Sequence, residues 1–290
     1  MTIWCLGSVN ADHFYKVPHL PGPGETIAAR DYARGLGGKG ANMAVAAARA
    51  EARVELIGAI GPDGGWMRDR LAGYGVSLTH LAGSETASGH ALIAVDEAGE
   101  NQITLFPGAN RGLEVSQVTA ALGQAVPGDL FLCQNETNLQ AEAAELARAK
   151  GLRVVYAAAP FEVTAVQAML GLTDLLVLNA VEAAQLEAVL DQPLTALPVQ
   201  DIVVTLGAEG MRWIDTDSGK IKDFPPIPVR VTDTTGAGDT FTGYLVAGLD
   251  AGAEMAMAIT RAGKAAALKV TRSGTADVIP TLAEVEGWTP

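Results

Sequence analysis

Basic residues are the first shortage. Twenty lysines and arginines stand against 33 aspartates and glutamates, for a formal net charge of −13. Nucleic acid and anionic membrane need a basic face, so neither is expected as a partner. Phosphate ligands remain open, because backbone N–H groups bind them without basic side chains. Cysteine is scarce as well: Cys5 and Cys133 are the only two. Each lies in an apolar run, so buried thiols are expected rather than a disulfide, and no metal-ligand spacing exists. No apolar run approaches bilayer-spanning length. Met1-Thr2-Ile3-Trp4 lacks a basic region and reaches Gly7 too soon for a signal peptide. A cytoplasmic protein is expected. Low-complexity tracts and internal repeats are missing too.

What is present is enough for one large domain. The chain has 290 residues, 49% of them hydrophobic, and a chain of that size buries about three quarters of its unfolded surface. The expected fold class is α/β over residues 1–290: a doubly wound, mostly parallel sheet with helices on both faces, plus a small β-sheet lid. Apolar runs at 3–7, 54–61, 129–136, 152–160, 174–179 and 202–210 read as strands. Helical patterns alternate with them after residue 52, as βαβ units require. Two excursions, at about 12–36 and 88–108, do not fit that alternation. The first is broken by Pro18, Pro21 and Pro23. The second reads as a hairpin turning at Glu97-Ala98-Gly99-Glu100. They are expected to pair into the lid.

The most informative stretch is VRVTDTTGAGDTFTGYLVAGL, from Val229 to Leu249. Val229 and Val231 read as a strand, Gly236-Ala237-Gly238 as a turn, and the rest as a helix opened by Asp239. Unpaired N–H groups at such a helix start converge on one spot and favour an anion. A carboxylate at the rim could take the proton of a hydroxyl that attacks phosphorus. Asp239 could equally be a simple N-cap. Near the N-terminus, RGLGGKGANMAVAAARA contains Gly35-x-Gly37-x-x-Gly40. It is not a dinucleotide fingerprint, because no buried strand precedes it, and it is not a P-loop, because Gly40 follows Lys39. Lys39 and Asn42 share one face at a helix start, which suits a polyhydroxylated molecule, although a solvated lysine and a capping asparagine are also compatible. Polar residues recur at strand carboxyl ends, where open sheets bind ligands: Asn10, Asp12, Glu136, Asn179 and Thr205. The turn from Gly207 to Gly210 is small enough to lie against a flat base.

With those residues in view, the chain resembles the ribokinase (PfkB) family of carbohydrate kinases along essentially its whole length. GSVNAD (7–12), PGET (23–26) and GGKGAN (37–42) match one signature, and DTTGAGDTF (233–241) the other. NAD with GGKGAN, and GENQITLFPGAN (99–110), are most similar to the ribose-phosphorylating members. The resemblance implies an ATP-dependent kinase acting on a free sugar, with D-ribose and its 5-hydroxyl leading. Another sugar or a nucleoside is the alternative, and a non-catalytic sugar-binding protein a more distant one. By the same resemblance Asp239 is the base and the backbone of Gly236, Ala237 and Gly238 forms the anion hole. Asn10, Asp12, Gly38, Lys39, Asn42 and Glu136 hold the sugar. Asn179 and Glu182 organise the phosphate-bound Mg²⁺, and Thr205, Gly207 and Gly210 line the nucleotide cleft. Asp233 and Thr235, with carbonyls near Lys269, Arg272 and Gly274, are expected to hold an activating K⁺, so that exchanging potassium for another cation lowers turnover. A homodimer joined lid to lid is implied. Three departures stand out: Ala158-Ala159 precede Pro160 in place of a common Asn, Gly263 falls where a larger side chain often covers adenine, and Ala94 lies near a common lid aromatic.

Overall fold

A computed structural model describes residues 1–289. The first half of the chain runs β1 (Thr2–Leu6), β2 (Asn10–Lys16), β3 (Asp31–Gly37), α1 (Lys39–Arg49), β4 (Arg53–Ile60), α2 (Gly65–Gly73), β5 (Leu81–Gly83), β6 (Gly89–Val95), β7 (Asn101–Phe106) and α3 (Val115–Leu122). The second half runs β8 (Leu130–Cys133), α4 (Gln140–Ala149), β9 (Arg153–Ala157), α5 (Val163–Leu170), β10 (Leu175–Asn179), α6 (Ala180–Leu190), β11 (Asp201–Thr205), β12 (Met211–Asp215), β13 (Lys220–Phe224), α7 (Ala237–Asp250), α8 (Met255–Lys269) and α9 (Leu282–Gly287).

Nine strands form one sheet in the order β13-β12-β11-β10-β9-β8-β1-β4-β5, and β3-β2-β6-β7 form a second, smaller sheet. The large sheet is parallel except at β12 and β13. From β1 the chain first builds outward through β4 and β5, then returns to β8 on the other side of β1. That reversal between β1 and β8 opens a crevice at the strands' carboxyl ends, the usual ligand position in such sheets.

Alternate residues of β1 explain the two helical layers. Ile3 and Cys5 face a core that includes Met43, Val45, Tyr244 and Leu245, from α1 and α7. Trp4 and Leu6 face another that includes Val118, Ala143 and Ala147, from α3 and α4. A strand buried on both faces has no polar side to show, hence the unbroken apolar run. Both cysteines are free and buried, as expected, and burial pushes the Cys5 thiol up to about 12. Small residues bring α7 against α1. A methyl group at Gly243 would lie 2.5 Å from both the Ala46 Cβ and the Met43 carbonyl oxygen. No described helix is long and apolar enough to cross a membrane.

Three sequence expectations change. Val229 and Val231 join no ladder, and Val231 is 57% exposed. Pro226 and Pro228 offer no N–H to a ladder, and the sheet ends at β13. The strand expected at 202–210 stops at Thr205. Gly207–Glu209 form a 3₁₀ turn, and at Gly210 (φ 98°) the chain reverses into β12 and an antiparallel hairpin. Asn10 and Asp12, expected just beyond β1, instead open β2, the first strand of the small sheet.

Candidate active site

The crevice is closed at its base by the carboxylate of Glu136, just past β8. Its Oε2 accepts the Ser8 hydroxyl at 2.5 Å and the Lys39 N–H at 3.0 Å. Ser8 sits just past β1, so this contact ties the two strands together across the reversal. Gly38, the residue before α1, brings Lys39 to the same point. The Lys39 ammonium is drawn above its ordinary value, first by the Asp239 carboxylate and then by Glu136 and Glu182, against the opposing effect of burial. Asp12 enters from the small sheet. Burial, with Glu136 and Asp239 adding repulsion, raises its carboxyl to about 7. Asn10, also buried, accepts the Asn110 amide through Oδ1 at 2.7 Å.

Asp239 is the centre of this cluster. It lies in the first turn of α7, yet its side chain caps nothing. Gly236 is the N-cap, at φ 71°, and no side chain makes a capping bond there. The Asp239 Oδ2 instead accepts the Asn42 amide at 2.8 Å. Oδ1 of Asn42 is buried without a partner, so it is available to a ligand hydroxyl. The helix start holds one correction. The Ala237 N–H turns back to the Thr234 carbonyl at 3.1 Å, leaving it unable to face a ligand. The N–H groups of Gly236, Gly238 and Asp239 have no acceptor among the described residues. These three, rather than the expected Gly236, Ala237 and Gly238, are the N–H groups left free at the helix start, where an anion is favoured.

Beyond the helix start lies a cavity of about 590 Å³, lined by Thr205, Gly207, Gly210, Gly238 and other, mostly apolar residues. Its size and apolar walls suit a flat heterocycle, and Gly238, whose N–H is free, lines it. The missing bulk at Gly263 is supplied from across the cleft: a methyl group there would meet Sδ and Cε of Met211 at 2.9 Å. Asn179 and Glu182 form a reciprocal cap of α6. Asn179 accepts the Glu182 N–H at 2.9 Å, and Glu182 Oε2 accepts the Asn179 N–H at 2.8 Å. Glu182 Oε1 takes no part in this cap. Among the described residues no three His, Cys, Asp or Glu side chains cluster as metal ligands. A divalent ion here would therefore rest mainly on nucleotide phosphates, with Glu182 as an outer carboxylate.

The expected potassium position is partly filled by the chain's own hydrogen bonds. The main-chain oxygen of Asp233 accepts Lys269 Nζ at 3.2 Å. Its two carboxylate oxygens accept the N–H groups of Thr235 at 2.8 Å and Gly274 at 2.9 Å. The Lys269 carbonyl accepts the Arg272 N–H at 2.9 Å. The Arg272 side chain turns away to Glu284, at 2.7 Å. Ala94 lies in β6 of the small sheet, as expected, where it pairs with Tyr15 on the face opposite Asp12. Ser8, Asn110 and Met211 belong to the site without having been singled out in the sequence. The first two lie inside the quoted signatures, whereas nothing local marks Met211.

Open parallel sheet, anion-binding helix start, carboxylate and neighbouring apolar cleft together define a phosphoryl-transfer enzyme of the α/β class. The pfkB family carbohydrate kinase model matches residues 2–282, and the chain belongs to that family. It is therefore a phosphotransferase acting on a sugar hydroxyl. The chain is 36% identical to a ribokinase of Haemophilus influenzae, over 98% of this chain and 96% of the relative. A ribokinase of Schizosaccharomyces pombe is 33% identical, over 99% and 97%. The crystal structure of a Cryptococcus neoformans ribokinase in complex with ADP superposes with a TM-score of 0.82, at 32% identity and 98% coverage of both chains.

Proposed function

We propose that this enzyme transfers the γ-phosphate of ATP to the 5-hydroxyl of D-ribose. The observation that carries the reading is the Asp239 carboxylate. It is free of any capping bond, oriented by Asn42, and placed beside three unpaired N–H groups. In this reading Asp12, Asn10, Asn42, Lys39 and Glu136 grip the sugar hydroxyls. Asp239 removes the proton of the attacking hydroxyl as its oxygen bonds to phosphorus and the bond to ADP breaks. The N–H groups of Gly236, Gly238 and Asp239 hold the equatorial phosphoryl oxygens. Mg²⁺, bound with the nucleotide, would neutralise phosphate charge, with Glu182 fixing its position. The small sheet would close over the sugar and exclude water as a competing acceptor. Support comes from the full-length similarity to ribokinases of several organisms. ADP release across a panel of pentoses, hexoses and nucleosides tests it, with D-ribose expected to give the highest kcat/KM. Turnover of nucleosides alone would overturn ribose while leaving a kinase.

The raised Asp12 carboxyl gives a pH signature. A carboxylate accepts sugar hydroxyls, whereas its protonated form loses that capacity on one oxygen. Because its value lies near 7, sugar affinity should strengthen as pH rises from 6 to 8, lowering the KM for sugar by up to about tenfold. Asp12→Asn should abolish the trend. A flat KM in the wild-type enzyme would remove Asp12 from the sugar site.

The small sheet also suggests how the protein assembles. Tyr32, Leu92, Ile103, Leu105 and Phe106 are all more than 40% exposed on it, and β3 and β7 are open edges. Such edges and apolar faces are liabilities unless covered. A homodimer joined through these sheets is the arrangement we favour. Light scattering should give twice the chain mass at working concentration, and a monomer mass would exclude it.

A further inference from the structure

A single buried ammonium joins the turn before α7 to the loop after α8. Lys269 is fully buried, and its Nζ donates to the main-chain oxygen of Asp233 at 3.2 Å. The Asp233 carboxylate lies at the same junction, anchored by the N–H groups of Thr235 and Gly274. Burial pushes that carboxyl up, but these N–H groups, then the Thr235 side chain and the Lys269 charge, outweigh it and hold the carboxyl below its ordinary value. The neighbouring Val270 carbonyl accepts both the Thr232 N–H, at 2.7 Å, and the Asp233 N–H, at 3.1 Å. A monovalent cation held by protein needs several carbonyl oxygens to replace its water shell. Here the carbonyl oxygens of Asp233, Lys269 and Val270 and both carboxylate oxygens of Asp233 already serve N–H groups or the lysine.

A fully buried ammonium is costly unless paired, so its retention calls for a role. Burial depresses Lys269 from its ordinary value, while Asp233 and then Asp239 pull it back up. The charge is therefore felt at the carboxylate of Asp239. Asp233 is only three residues from Gly236, where the unpaired N–H groups begin. A fixed positive charge at that distance can order the turn and favour phosphate in the way a bound cation would.

We propose that the Lys269 ammonium stands permanently in the monovalent-cation position, ordering the Asp233–Gly238 turn so that the enzyme works without potassium. This rests on the phosphoryl-transfer reading of the site and adds to it the source of the ordering charge.

The test compares potassium, sodium and tetramethylammonium chloride at equal ionic strength. ADP affinity is read by calorimetry, the melting temperature by a thermal scan, and turnover by ADP release from Mg-ATP with sugar. The wild-type enzyme should vary by no more than about twofold in affinity and turnover across the three salts, with a constant melting temperature. Lys269→Ala removes the charge and opens the carbonyl oxygen of Asp233. Its ADP affinity and turnover should fall at least about tenfold in tetramethylammonium and recover in potassium. If the alanine variant does not fold, Lys269→Met keeps most of the apolar stem and should give the same pattern.

A tenfold loss by the wild type on leaving potassium would overturn the proposal. So would a variant that matches the wild type in all salts, or one whose defect potassium does not relieve. Failure of the underlying kinase reading would look different: no sugar would be turned over in any salt, while ADP affinity would still report the cation dependence.

Discussion

Asp239→Asn should yield a folded protein that binds nucleotide and sugar but turns over at least about a hundredfold more slowly. General-base catalysis contributes about 10²–10⁴-fold, and an amide cannot take the proton. The local structure should survive the change. Asp239 makes no cap, so helix α7 does not depend on its charge for a capping bond. The amide oxygen of asparagine can still accept the Asn42 Nδ2 group in the place of Oδ2. The loss should therefore lie in kcat with KM nearly constant, as for an interaction made only in the transition state. Calorimetry for binding and ADP release for turnover, on one preparation, separate the two. Near-normal turnover in the folded variant would move the proton-acceptor role elsewhere.

Gly243→Ala should cost both stability and rate, although residue 243 touches no ligand. The added methyl would stand 2.5 Å from the Met43 carbonyl oxygen and from the Ala46 Cβ, and 3.0 Å from the Ala47 N. Two of these atoms are backbone and cannot rotate away, so α7 must move off α1. Overpacking of this kind costs typically 1–3 kcal/mol. Those two helices carry Asp239 and Asn42, whose 2.8 Å contact spans the same seam. A displacement of about 1 Å at reacting groups can cost about 10²-fold in rate. Denaturant unfolding and steady-state kinetics should therefore both shift. Wild-type kcat in a variant destabilised as expected would show that the helix seam does not set the geometry of the base.

The sheet was legible because its strands are buried on both faces. Runs such as Ile3–Leu6 and Leu175–Leu178 have no polar alternation that could be mistaken for another register. The cluster of Asp12, Lys39, Asn42, Glu136 and Asp239 was legible through its signatures, which fix residue type and spacing together. What escaped was decided by direction rather than composition. Ala237 sits in the glycine turn, but the φ of Gly236 points its N–H inward, and no residue name records that. Val229 and Val231 alternate like a strand, yet Pro226 and Pro228 beside them offer no N–H to a ladder, and the sheet ends at β13. Lys269 reads as a helix-ending lysine. Only the fold shows that its stem runs inward to the carbonyl of Asp233. Ser8 and Asn110 act through other side chains, so their roles exist only once those partners are placed.

Met211 and Gly263 divide the labour of the nucleotide cleft in a way that bears on how this enzyme could diverge. The phosphate end is built of main-chain N–H groups, which side-chain substitution cannot delete. The apolar wall, by contrast, includes a flexible thioether on an antiparallel edge hairpin that carries none of the reacting groups. Donor preference is thus a separable trait. A lineage, or a designer, can exchange residues along that hairpin and drift toward another nucleobase while Asp239 and its helix stay under undiminished selection.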